Sequence, residues 1–81
     1  MSKYLVWEYS QIKDENEEVK ESLGAYKYDT ELQALKAYHQ KLAGACSNDN
    51  YVRETVILTN IEGHKIMSET IPSEIYRGLA Q

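Results

Sequence analysis

His39, His64 and Cys46 are the side chains best suited to nucleophilic or metal chemistry, and their spacing argues against both uses. Cys46 is the only cysteine, so the chain cannot close a disulfide on itself. Two histidines and one thiol at these intervals match no zinc-ligand pattern. A reactive thiolate is favoured at the positive end of a helix, whereas Cys46 ends a helical stretch and reads as a small buried hydrophobe. His39 has no Asp or Glu three or four positions away to orient its ring, and it reads as a core or boundary residue. His64 follows a hairpin glycine and is expected in solvent. The carboxylates Asp14, Glu15, Glu17, Glu18 and Glu21 crowd into residues 14–21. Paired carboxylates that cleave bonds need an enclosing pocket, which a chain this short seldom builds. The four glycines are scattered and form no phosphate-cradling loop. No nucleophile, base and orienting group share a plausible arrangement. The expectation is a protein that is not an enzyme, with no catalytic, cofactor-binding or metal-binding residues and no cofactor.

Charge points the same way. Nine basic and thirteen acidic residues leave a net charge of −4. The basic residues stand singly, mostly beside acids, instead of forming the stripe that displaces phosphate counterions; nucleic acid is therefore disfavoured as a partner. The acidic run reads as a solvated hairpin tip or as a docking surface for a basic partner. Eighty-one residues amount to one domain over residues 1–81, and a core this small gains from packing against a second chain. A lone cysteine suits a reducing compartment. The opening apolar run is cut short by Glu8, unlike a secretory signal, and no stretch is apolar enough to span a membrane. The expected location is the cytoplasm.

The elements follow from periodicity. Residues 3–12 are rich in aromatic and β-branched side chains and read as a strand. One face of it carries Tyr4, Val6, Glu8 and Ser10, the other Leu5, Trp7 and Tyr9. The acidic turn leads into a second strand, Val19–Tyr28, where Gly24 suggests a bulge. Thr30-Glu31-Leu32-Gln33 is a helix-capping box, with Asp29 as a rival cap. Leu32, Leu35, His39, Leu42 and Cys46 then form one helical stripe opposite Lys36, Gln40 and Lys41. Residues 51–59 alternate, with Val52, Glu54, Val56 and Leu58 against Tyr51, Arg53, Thr55 and Ile57. The turn Asn60-Ile61-Glu62-Gly63 closes a hairpin onto residues 64–71. Pro72 stops that strand, and Ser73 caps a short helix over residues 74–79. The order is ββαββ: an α+β fold with a four-stranded antiparallel sheet, one long amphipathic helix on one face and a short C-terminal helix.

Seven tyrosines and one tryptophan, with no phenylalanine, are the compositional oddity. A ring with a polar tip suits a surface that is dry when bound and wet when free. One helix covers one sheet face, so Tyr4, Trp7, Tyr9, Tyr26, Tyr28 and Tyr51 are candidate partner-binding residues, with Glu15, Glu17 and Glu18 as an acidic rim. The alternative is that tyrosine replaces phenylalanine in the core, each hydroxyl reaching the rim. Period-two reasoning leaves open which face the helix covers. The leading expectation is a small interaction module that self-associates, as a homodimer, through an aromatic sheet face or edge. The runner-up is an inhibitor that occupies a basic groove of a host nuclease or defence complex through the acidic hairpin. A small-ligand site at a dimer interface is a third option.

Four segments also resemble small proteins encoded by phages and prophages of Firmicutes. They are Lys3-Tyr4-x-Val6-x-Glu8-Tyr9, Leu23-Gly24-x-Tyr26, Ala37-Tyr38-His39-x-x-Leu42-Ala43, and the Glu62-Gly63 hairpin followed by Ser68-Glu69. The resemblance covers most of the chain through short pieces and carries no catalytic residues. It implies a mobile-element origin, in which small acidic proteins serve as virion accessory parts or as inhibitors of host defence.

Overall fold

Alternation along the first strand decides what the sheet can bury. In the computed structural model, which describes residues 2–71, the elements are β1 (Tyr4–Lys13), β2 (Val19–Tyr28), α1 (Glu31–Cys46), β3 (Tyr51–Asn60) and β4 (Lys65–Ile71). The sheet is antiparallel throughout, in the order β2-β1-β3-β4. The expected α+β class and ββαββ order are thus present. The expected helix over residues 74–79 lies outside the described residues. Among those described, no helix is long and apolar enough to cross a membrane.

The helix packs mainly over the two central strands, β1 and β3. It covers the face bearing Val6 on β1, Val56 and Leu58 on β3, and Ile71 on β4, all buried. Tyr4, Tyr28, Tyr51 and Met67 close the margin of that core. Burying each large aliphatic side chain contributes on the order of 1.5–3 kcal/mol, so β1 and β3 carry most of the fold.

The helix turns a different stripe inward from the one its leucines suggest. Ala34, Ala37, Tyr38, Leu42 and Ala45 are buried, whereas Leu32 is 69% exposed and His39 and Cys46 face solvent. The helix is rotated towards its alanines, whose small side chains let its backbone approach the sheet while the Tyr38 ring supplies the volume. The same rotation brings Lys41, expected in solvent, down beside the sheet.

At the start of α1, Thr30 rather than Asp29 is the cap: its hydroxyl accepts from the Gln33 N–H at 3.2 Å. Thr30→Ala is expected to cost about 1 kcal/mol, readable as a lower urea midpoint with an unchanged m-value. At the other end the Ser47 N–H and hydroxyl both reach the Ala43 carbonyl, satisfying an acceptor the last turn leaves free.

Gly24 makes no bulge, because the β1–β2 register runs unbroken through it. Its missing side chain matters otherwise: a Cβ there would lie 3.0 Å from the Tyr26 hydroxyl oxygen. Register shifts fall instead at Gln11/Ile12 and at Leu58/Thr59. The first skips Val52 and sets Tyr51 opposite Ile12, against the core and away from Arg53. Gly63, at φ +91°, supplies the left-handed residue that closes the β3–β4 turn, and His64 beyond it is exposed.

Candidate functional site

Two constellations stand out, one on each side of the sheet. On the side that no other described element covers, Leu5, Trp7 and Tyr9 project from β1. The register sets Trp7 between Ala25 of β2 and Ile57 of β3, and Tyr9 between Leu23 and Thr55. Trp7 is 38% exposed and Leu23 73% exposed. The indole is oriented, because its Nε1–H donates to the Thr59 Oγ1 at 3.2 Å. Thr55 and Thr70 join hydroxyls at 3.0 Å on the same face. The Tyr9 phenol is pushed above its ordinary value, first by burial and then by its hydrogen bond to Glu21 and that carboxylate's charge; it stays neutral at physiological pH. The result is a half-exposed aromatic and aliphatic strip with a polar hydroxyl border, suited to dry contact with another surface.

The candidate partner-binding residues therefore divide. Trp7 and Tyr9 lie on the open face. Tyr4, Tyr28 and Tyr51 pack against the core under the helix, the role of phenylalanine with a wet tip. Tyr26 lies on that same side at the β2 margin, exposed, with the Lys41 ammonium 3.9 Å from its ring centroid, a cation–aromatic contact. Glu15, Glu17 and Glu18 are exposed at the β1–β2 hairpin tip. Asp14 is spent on building that tip: its Oδ1 accepts from the N–H groups of Asn16 and Glu18. Glu17 takes up the positive φ, 61°, that the turn requires.

The second constellation is polar and sits beneath the helix. Glu54 of β3 is fully buried, and its Oε1 accepts the Ser10 hydroxyl at 3.0 Å. Its Oε2 has no hydrogen-bond partner among the described residues. Nearby, Glu8 accepts from the Lys41 ammonium at 3.3 Å. Burial above all drives the Glu54 carboxyl up to about 7; the Ser10 hydrogen bond and Lys41 oppose the rise, and Glu8 adds to it. The Tyr51 phenol is also raised, by burial first and then by Glu54 and Glu8. A carboxyl half-protonated near neutrality is the kind of group that serves as a general acid or base. Here it is fully buried. A shallow groove lined by Tyr28, Ala37, Gln40 and Lys41 opens at the helix margin, but Glu54 does not line it.

The periodic reading of β3 places Glu54 in phase with Val56 and Leu58, and that phase is the signal of its burial. Its partners Ser10, Glu8 and Lys41 come from two other elements and are invisible to local pattern. Among the described residues, no three His, Cys, Asp or Glu side chains gather as a metal site would require. Neither a model of a protein family, nor a curated protein, nor a solved structure matches this chain.

Proposed function

We propose that the chain is a non-catalytic protein-interaction module that self-associates and uses its open sheet face to bind protein. The observation that carries this reading is Trp7. It is a half-exposed indole, held in orientation by Thr59 and flanked by Leu5, Tyr9 and Ile57 on a face that no other described element covers. Buried aromatic anchors of this kind dominate binding energies, typically by 2 kcal/mol or more on truncation.

Trp7→Ala is expected to leave the fold intact and to weaken capture of protein partners by at least about tenfold. The check is the affinity for whichever partner co-purifies with the unaltered chain, measured side by side with circular dichroism. Equal affinity in both forms would remove the open face from the function.

A second reading is favoured by the exposure of Glu15, Glu17 and Glu18 on a turn locked by Asp14. This acidic tip would occupy a basic groove, as an inhibitor of a host nuclease or defence complex does. Loss of the same partner on charge reversal of those three glutamates, with Trp7 intact, would select it over the first.

A further inference from the structure

The edge of the sheet carries a sharper assignment than the face. β1 is antiparallel to both its neighbours, so its residues direct their N–H and C=O groups alternately to β2 and to β3. The Asp14 N–H bonds to the Glu18 carbonyl at 2.9 Å on the β2 side, and the Lys13 N–H to the Asn50 carbonyl at 2.9 Å on the β3 side. Even-numbered residues of β1 therefore serve β2 and odd-numbered ones β3. Carried through the register, this means that Lys20, Ser22, Gly24, Tyr26 and Tyr28 turn their backbone groups inward. Val19, Glu21, Leu23, Ala25 and Lys27 turn theirs outward, with side chains on the open face. No described strand lies beyond β2 to receive those groups.

An edge of ten residues without proline or bulge is a template for another strand unless something blunts it. Lysines are the usual guard. Lys20, however, is drawn back to Asp14 of its own hairpin at 3.6 Å, which leaves Lys27 and Glu21 as the charges on the outward-facing residues.

We propose that two copies of the chain pair antiparallel along β2, about a two-fold axis at Gly24, to make one continuous sheet of eight strands. In this register Glu21 stands directly opposite Lys27 of the second copy, and by symmetry the pair occurs twice. Leu23 stands opposite Ala25 of the second copy, also twice, which covers the most exposed leucine of the sheet. Gly24 faces itself, and on the helix side Ser22 meets Tyr26 of the second copy. Every outward N–H and C=O from Glu21 to Lys27 gains a partner. Competing registers do worse: an axis at Glu21 sets two like charges against each other, and an axis at Leu23 leaves Glu21 opposite Ala25 and Lys27 opposite Val19. Directly opposed unlike charges stabilise a cross-strand pair and like charges destabilise it. The pairing leaves Trp7 uncovered and joins the two open faces into one wider surface. The inference rests on the preceding reading only in taking the chain to self-associate.

The test is solution mass by light scattering across concentration, for the unaltered chain and for charge-exchanged variants. The unaltered chain is expected to be a dimer. Glu21→Lys and Lys27→Glu are each expected to raise the dimer dissociation constant about tenfold or more, since each converts both ion pairs to repulsions. The double exchange, E21K with K27E, is expected to restore the dimer, which a merely misfolded variant would not do. As a second measure, Gly24→Cys in a Tyr26→Ala, Cys46→Ser background, which clears the ring a Cβ at position 24 would meet, is expected to cross-link on mild oxidation, because a residue facing itself in a non-hydrogen-bonded pair lies within disulfide reach. A dimer untouched by either single exchange, or dissociated by Trp7→Ala, would overturn the edge pairing and leave the open face as the self-association surface. A monomer throughout would overturn self-association, and the open-face reading would then stand or fall on the affinity of the Trp7→Ala variant for a foreign partner.

Discussion

Glu54→Gln is expected to become progressively more stabilising, relative to the unaltered chain, as pH rises from 4.5 to 8. Burial, with the Glu8 carboxyl beside it, pushes the Glu54 carboxyl from its ordinary 4.5 up to about 7 in the fold. Between those values the folded chain holds a proton that the unfolded chain has released, so stability falls as pH rises through the window. The contribution of the neutral acid is fully present below the unfolded value and is lost as pH passes the folded one. At about 1.36 kcal/mol per unit, the swing is on the order of 3 kcal/mol. The physical source is desolvation first: Glu54 is fully buried with one oxygen on the Ser10 hydroxyl, and the neighbouring Glu8 carboxyl further disfavours a second negative charge. A glutamine keeps the Ser10 contact through its carbonyl and never ionises. Urea denaturation of both forms from pH 4 to 9 checks this through their difference, in which the other titrating groups largely cancel. A difference constant across that range would show that Glu54 ionises in the fold as easily as in water.

Leu58→Ala carries the second large effect. Leu58 is fully buried in β3, beside Val6 of β1 and Met67 of β4, under the helix. Truncating such a leucine costs about 2–5 kcal/mol, the spread reflecting how far the cavity collapses. A domain of this size has roughly 4–12 kcal/mol in all, so the variant is expected to be partly unfolded at 37 °C. Leu32→Ala, the same chemical change on the exposed side of the helix, is expected to cost less than about 0.5 kcal/mol. Paired thermal or urea melts of the two variants measure the contrast. Similar losses at both positions would mean that Leu32 is covered in the folded chain.

Much of the architecture was legible in the residues. Period-two alternation identified the four strands, Gly63 marked the turn that needs a positive φ, and Thr30 announced the helix start. The division of β1 into Val6 and Trp7 faces was also readable. Which of the two faces the helix would cover was not, because both begin apolar and local pattern contains no information about what lies above the sheet. The helix misled for a related reason. Counting leucines favours Leu32 and Cys46 as inward residues, yet close approach to a sheet rewards Ala34, Ala37 and Ala45, which a hydrophobicity pattern weights lightly.

The candidate partner residues show the same boundary. Tyrosine content signalled amphipathic surfaces, but only the tertiary packing assigned Tyr4, Tyr28 and Tyr51 to the core margin and Trp7 and Tyr9 to the open side. A bulge at Gln11/Ile12 moved Tyr51 across, an effect of one unpaired residue that no periodicity anticipates. The order and type of the described elements follow from the residues alone, because those depend on neighbours two to four positions away. Packing settles which face and which edge the described elements leave uncovered, and why the Glu54 carboxyl is pushed up to about 7. Those properties depend on contacts between residues as distant in the chain as Ser10 and Glu54, or Glu8 and Lys41, and on the solvent their meeting excludes.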